Sequence, residues 1–264
     1  MGAPAFPAPA DLRHWPLAEL RAAAAAAWPG MALQVVDEID STNTELMRRA
    51  RAGDETPTVL VAERQTAGRG RLGRQWHSEA GTSLTFSVGV PLQPANWAGL
   101  SLVVGLSLAE SLHPTIGLKW PNDLWWRDRK LGGILIETLG TGAPRRAIVG
   151  VGLNVGAPPQ SAPELRTPAT SLHEAVGPVQ APDVLLQVLP PLLRALAAFE
   201  QQGFAPLRER FHTRDVLRGR AVQLADGAQG SALGVDGEGV LWVQTAAGVH
   251  SIASGEVSVR PRAG

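Results

Sequence analysis

Four arginines fall in one short glycine-rich stretch: Arg64, then Arg69, Arg71 and Arg74 among Gly68, Gly70 and Gly73, in the run AGRGRLGRQW at 67–76. Glu63 is the last acid before it. Alternating glycine and arginine suits neither a packed helix nor a packed strand. Glycine costs roughly 1 kcal/mol against alanine in a helix, and each guanidinium needs water or a counter-charge. Guanidinium forks and nests of backbone N–H groups both suit phosphate or carboxylate. The segment therefore reads as a flexible basic loop that orders around an anion, although a solvated surface loop has the same composition.

Three further stretches carry polar groups at turns. In KWPNDLWWRDRKLGG (119–133), Lys119 ends a strand, Pro121 forces a turn, and Asn122 and Asp123 project from it. Lys130 precedes Gly132 and Gly133, where a ligand can lie against bare backbone. Trp125 and Trp126 read as packing residues. Ser41, Thr42 and Asn43 begin a helical segment; a plain N-cap explains them, and a helix N-terminus also receives polar ligands. GVGLNVG (150–156) ends a strand in a turn whose open backbone can accommodate a planar ring.

Other chemistries find no support. The chain has no Cys, hence no thiolate nucleophile or thiolate metal site, and its six His are scattered and read as structural or exposed. Zinc, EF-hand, P-loop and dinucleotide-binding spacings are all missing from the sequence.

The elements that must position these groups follow from hydrophobic pattern. Residues 17–28 form an alanine-rich helix closed by Pro29-Gly30, and 31–39 a strand. A helix then starts with a capping box from Thr42 to Glu45 and stops at Gly53. Residues 58–62, 83–90, 117–120, 124–126, 131–139 and 146–151 read as strands, and 99–112 as a helix. The proline-rich stretch 156–182 reads as a long surface connection, followed by a helix to Gln202 that Pro190 and Pro191 kink or interrupt. Five short strands at 220–225, 231–235, 239–244, 248–252 and 256–260 suggest a small barrel. Strands in adjacent pairs predict an α+β fold with a mixed sheet flanked by helices.

Composition agrees with a folded chain of 264 residues: 44% of residues are hydrophobic, and 24 basic residues balance 24 acidic ones. Zero net charge argues against a surface built wholly for nucleic acid. The N-terminus lacks a secretory pattern and the apolar run 100–112 is too short to span a bilayer, so a soluble cytoplasmic protein is expected.

The order and spacing of the motifs add what each lacks alone. Ser41-Thr42-Asn43, Gln65 with GRGRLGRQW (68–76), KWPNDL (119–124), RKLGGI (129–134), GVGLNVG (150–156) and GEVSVR (255–260) together resemble the biotin protein ligases. The resemblance runs from about residue 34 to 260. It implies a catalytic domain like that of class II aminoacyl-tRNA synthetases over 34–215, an SH3-like β barrel over 216–264 and an N-terminal extension over 1–33. It implies biotin and ATP as substrates, magnesium as cofactor, and a lysine of the biotin carboxyl carrier protein of acetyl-CoA carboxylase as acceptor.

Residue roles follow from the same resemblance. Ser41, Thr42, Asn43, Gln65, Arg69, Gly70, Arg71, Lys130 and Gly133 would hold biotin, while Trp76, Lys119, Asn122 and Asn154 would hold ATP. Lys130, Arg69, Arg71 and Asp123 would act in catalysis, with Asp123 also helping to bind magnesium. The first 33 residues are shorter than the winged helix-turn-helix of repressor members, so no DNA binding is expected; neither is membrane binding, and the chain is expected as a monomer or homodimer. Two departures stand out: Thr85 replaces a residue often aromatic in bacterial relatives, and Pro190-Pro191 fall in a helix the family keeps continuous. Lipoate or octanoate ligases and transferases share the fold but lack the GRGR loop followed by Trp. An RNA-binding module would instead need aromatics interleaved with the arginines, and only Trp76 is present there.

Overall fold

The computed structural model describes residues 14–140, 145–157, 168–224, 227–252 and 260–261. The chain begins with α1 (Leu17–Ala27), whose alanines favour helix. β1 (Ala32–Ile39), α2 (Thr42–Arg51) and β2 (Thr58–Gln65) form a βαβ unit with β1 and β2 parallel. β3 (Ser83–Leu92), α3 (Leu100–Leu112), β4 (Gly117–Lys119), β5 (Asp123–Trp126), β6 (Arg129–Leu139) and β7 (Arg145–Asn154) follow. Together they make a seven-stranded mixed sheet, ordered β1-β2-β3-β7-β6-β5-β4 and antiparallel from β2 onward.

One face of this sheet carries the main core. Leu84, Phe86, Val88 and Val90 on β3, and Val149, Val151 and Leu153 on β7, are buried in one cluster with the leucines of α3 and of α5 (Ala181–Gln202). The helix α5 runs through Pro190-Pro191 as one element, so of the kink or interruption expected there the interruption does not occur. Two adjacent prolines remove two backbone donors, and an interior proline costs about 3 kcal/mol. Val188, Leu189, Leu192, Leu193 and Leu196 are fully buried around them; at about 1.5–3 kcal/mol per buried aliphatic side chain, packing outweighs that penalty. By length and composition α5 could cross a membrane, but its apolar face belongs to this core.

The other face is covered at one end by α2, through Leu46 and Met47 against Leu60 and Ile148. Its N-cap is Ser41, whose Oγ accepts from the Thr44 amide at 3.4 Å, and not Thr42 as a capping box would have it. The Thr42 side chain is turned into the sheet, and Glu45 pairs with Arg48 and Arg49.

The stretch read as a surface connection is also partly built into the fold. Thr170, Ser171 and Leu172 are buried, with α4 (Leu172–Val176) capped by Ser171. Beyond α6 (Arg208–His212), residues 214–216 lie along β4, Leu118 donating to the Arg214 carbonyl at 2.7 Å and accepting from Val216 at 3.0 Å. β8 (Ala221–Gln223), β9 (Gln229–Val235), β10 (Leu241–Thr245), β11 (Gly248–Ile252) and β12 (Arg260–Pro261) form a second sheet, ordered β11-β10-β9-β8-β12. The rest of the expected last strand, including most of GEVSVR, lies outside the described residues. Trp120 Nε1 donates to the Gly239 carbonyl at 3.0 Å and so ties the second sheet to the turn before β5.

Candidate active site

The strand register writes a line of residues straight across the sheet. Ala62 pairs with Thr85, Thr85 with Gly152, Gly152 with Gly133, Gly133 with Asp123, and Asp123 with Lys119. Directly opposed residues share a face, and this is the face away from the main core. Four small residues thus give way to two charged ones. From Thr85 to Asp123 is three strand spacings, about 14 Å.

Glycine is required on this floor. A Cβ on Gly150 would stand 2.3 Å from Asn43 Oδ1, and one on Gly152 2.4 Å from the Trp76 ring. The Asn43 amide and the Trp76 indole therefore lie flat on β7 because its backbone is bare there. Trp76 Nε1 is buried without a hydrogen-bond partner. Thr85, buried beside Gly152, donates to the Ala62 carbonyl at 2.8 Å, so Trp76 is the aromatic ring on this stretch of floor.

At the α2 end the groups are neutral, with Thr42, Asn43 and Ser87 buried and Gln65 half-buried. The Thr42 amide donates to Gln65 Oε1 at 2.7 Å; the Thr42 hydroxyl lies 2.6 Å from Ser87 Oγ, and Ser87 donates to Asn43 Oδ1 at 2.6 Å. Each hydroxyl carries one proton; with that of Ser87 given to Asn43, Thr42 is the donor across the 2.6 Å contact to Ser87, and Gln65 Oε1, 3.1 Å from the Thr42 hydroxyl, competes for the same proton. Asn43 Nδ2 in turn donates to Glu137 Oε2 at 2.9 Å. Ser41 is buried as the cap, and the backbone of Gln65 is steadied by Ser78, whose Oγ accepts from the Gln65 backbone N–H at 2.8 Å.

At the other end the groups are charged. Lys130 Nζ sits 2.7 Å from Asp123 Oδ1. A bulge between β5 and β6 brings it there: Leu124 pairs with Gly132 but Trp125 pairs with Lys130. Leu131 is the extra residue, turned into the core, and the alternation beyond it is reversed so that Lys130 faces the site. The Lys130 backbone is braced by residues 168–170, its amide donating to Pro168 O at 2.8 Å and its carbonyl accepting from Thr170 at 2.9 Å. Lys119, almost fully buried, lies over the Trp125 ring at 5.3 Å. Asn122 and Asn154 spend their Nδ2 donors on the carbonyls of Ile134 and Thr170, each at 2.9 Å.

The arginine loop spans both ends. It is a narrow hairpin: Gly68 O accepts from Trp76 at 2.9 Å, Gly70 donates to Arg74 O at 2.7 Å, and a single helical turn (Arg71–Gly73) forms the tip. Leu72 and Gly73 both have positive φ, 58° and 70°. Arg69 reaches Glu137 Oε2 at 2.6 Å. Arg71 turns inward, 3.5 Å from Asn122 Oδ1; burial pulls its guanidinium below its ordinary value while nearby Asp123 raises it. Lys130, Arg71 and Lys119 thus share the part of the face that holds Asp123, an arrangement that suits an incoming anion.

The structure brings the expected residues Ser41, Thr42, Asn43, Gln65, Arg69, Gly70, Arg71, Trp76, Lys119, Asn122, Asp123, Lys130, Gly133 and Asn154 to this one face and its loop. Sequence reasoning missed Ser87 and Glu137. The signal for Ser87 was the alternation Ser83, Thr85, Ser87 against Leu84, Phe86, Val88; for Glu137 it was a lone charge in an apolar strand. Among the described residues, no group of three or more His, Asp or Glu could hold a metal ion by itself.

Comparison with known proteins places this architecture. Residues 35–154 match the model of the Biotin/lipoate A/B protein ligase family, a class of ligases. Residues 218–260 match the Biotin protein ligase C terminal domain. The chain is 35% identical over 244 residues to the bifunctional ligase/repressor BirA of Escherichia coli, covering 88% of this chain and 75% of that protein. It is 34% identical to the biotin–[acetyl-CoA-carboxylase] ligase of Paracoccus denitrificans, covering 83% and 96% of the two chains. The biotin protein ligase of Aquifex aeolicus in complex with biotin and ATP superposes with a TM-score of 0.73 at 34% identity, covering 88% of this chain and 99% of that one. The chain belongs to the biotin protein ligase family.

Proposed function

We infer that this chain is an ATP-dependent ligase that activates biotin as biotinyl-5′-AMP and transfers it to a lysine of a biotin carboxyl carrier protein. The observation that carries this reading is the sheet face itself: a neutral hydrogen-bonding end and a cationic end separated by about 14 Å of glycine-lined floor. A fused polar ring with an acid tail fits that division. The neutral groups Ser41, Thr42, Asn43 and Gln65 meet the ureido ring. The carboxylate reaches Lys130 beside Gly133, under Arg69, Gly70 and Arg71.

The chemistry follows from the charges. A carboxylate oxygen attacks the α-phosphorus of ATP, a phosphorus–oxygen bond breaks and pyrophosphate leaves. Two anions must approach each other, and Lys130 and Arg71 offset their repulsion and stabilise the charge on the phosphate oxygens. Trp76, Lys119, Asn122 and Asn154 surround the nucleotide. In the second step the neutral amine of the carrier lysine attacks the activated carbonyl and AMP departs, with the amine proton lost to solvent. The hairpin over the site keeps water from the mixed anhydride meanwhile.

Magnesium fits here in one way. Asp123 is a single carboxylate already paired with Lys130, which suits an ion carried in on the triphosphate and not a resident one. When bound, that ion supplies charge neutralisation on the phosphates. The sheet and its flanking helices support a class II synthetase-like catalytic domain over 34–215, and the second sheet an SH3-like domain over 216–264. A cytoplasmic location suits a substrate pair of ATP and a carboxylase.

The test is transfer of labelled biotin to a purified carrier domain with ATP. Biotinylation that needs ATP, together with biotin-dependent pyrophosphate exchange, is the expected result. Equal or preferred incorporation of lipoate would overturn the biotin assignment.

A further inference from the structure

Glu137 stands out because nothing in the reaction just described uses it. It sits in β6 after Ile134, Leu135 and Ile136, opposite Ile148 of β7 and beyond the end of the site floor. Its Oε2 accepts twice, from Asn43 Nδ2 at 2.9 Å and from the Arg69 guanidinium at 2.6 Å. One side chain thus joins a residue of the neutral end to a residue of the loop.

A carboxylate only accepts hydrogen bonds, whereas hydroxyls and amides can turn either way. With Glu137 at its end, helped by the Leu135 carbonyl that Asn43 Nδ2 reaches at a longer 3.3 Å, the chain has one polarity: Asn43 must present its NH2 group to Glu137, which turns its Oδ1 toward Ser87. Ser87 must then donate to Asn43, and Thr42 to Ser87. A flipped Asn43 would set its carbonyl oxygen against the carboxylate. We propose that Glu137 is a positioning residue that sets the donor–acceptor polarity of the ring-binding end and, through Arg69, anchors the arginine loop over it. Ring recognition and loop closure then share one carboxylate. This inference rests on the biotin reading of the site for its first half only.

Two variants separate the halves. Glu137→Ala removes both contacts, and loss of a charged hydrogen-bond partner should raise KM for biotin about tenfold or more, with KM for ATP unchanged and kcat little affected. Without substrate, tryptic cleavage after Arg69, Arg71 and Arg74 should also accelerate several-fold. Glu137→Gln keeps an oxygen for Asn43 but no charge for Arg69, so it should restore biotin KM to within about threefold of the parent while leaving the loop sensitive to trypsin. Parent-like biotin KM and parent-like cleavage in Glu137→Ala would overturn the proposal. A parallel loss of kcat and both KM values with a lowered melting temperature would overturn it too, marking a purely structural residue. If the parent itself shows no biotin-dependent pyrophosphate exchange, the substrate reading has failed, and the substrate-free trypsin comparison still decides the loop anchor.

Discussion

The two ends of the site face are built on opposite principles. The α2 end is a chain of neutral donors and acceptors, with Thr42, Asn43 and Ser87 all buried, that ends on a single carboxylate, Glu137. The β5–β6 end is a partly open knot of charge, where Lys130 and Asp123 pair and Arg71 and Lys119 lie close by. A buried hydrogen-bond chain discriminates shape and polarity, because an unmatched ligand leaves its members unpaired. A charge cluster discriminates little, but it stabilises anions as they react. The difference assigns recognition to one end and chemistry to the other.

That division can be broken piece by piece. Lys130→Ala should do most: kcat of biotin-dependent pyrophosphate exchange should fall by about a hundredfold or more, since the lysine opposes charge that develops in the transition state. Steady-state kinetics with an unchanged melting temperature would check this. Gly150→Ala comes next. Its methyl would stand 2.3 Å from Asn43 Oδ1, so the amide must leave the floor and KM for biotin should rise more than about tenfold, with ATP unaffected.

Ser87→Ala should raise biotin KM by about five- to tenfold, the loss of one buried link that leaves Thr42 and Asn43 without their partner. The smallest effect expected is of salt. Raising ionic strength from about 0.05 to 0.5 M should weaken ATP binding several-fold and biotin-ring binding hardly at all, because screening acts on the charged end. Titration at both salt concentrations would show whether the two ends respond alike, which would argue against their separation.

Much of this face was legible in the sequence because its residue types are conspicuous. Arginine beside glycine, lysine before paired glycines, and Asn-Asp after proline all resist a purely structural reading in combination. The strands too were visible from their apolar runs, with ends misplaced by a few residues at β2 and β7. What stayed hidden depends on register. Ser87 matters because β3 sets it beside Asn43 and Thr42, and Glu137 because β6 carries it to the loop. No local pattern states which residues face each other across strands. The Leu131 bulge that turns Lys130 into the site is likewise a property of the pairing. The continuity of α5 through Pro190-Pro191 was missed for a different reason: local backbone cost was weighed without the buried leucines that offset it.

The central claim is that the two ends work separately, and one measurement meets it directly. Biotin alcohol, in which the carboxylate is reduced to a hydroxyl, keeps the ring and loses the charge. Its equilibrium binding by calorimetry should be within about twofold of the parent in Lys130→Ala and weakened about tenfold in Ser87→Ala. Equal losses in the two variants, or the larger loss in Lys130→Ala, would contradict the account.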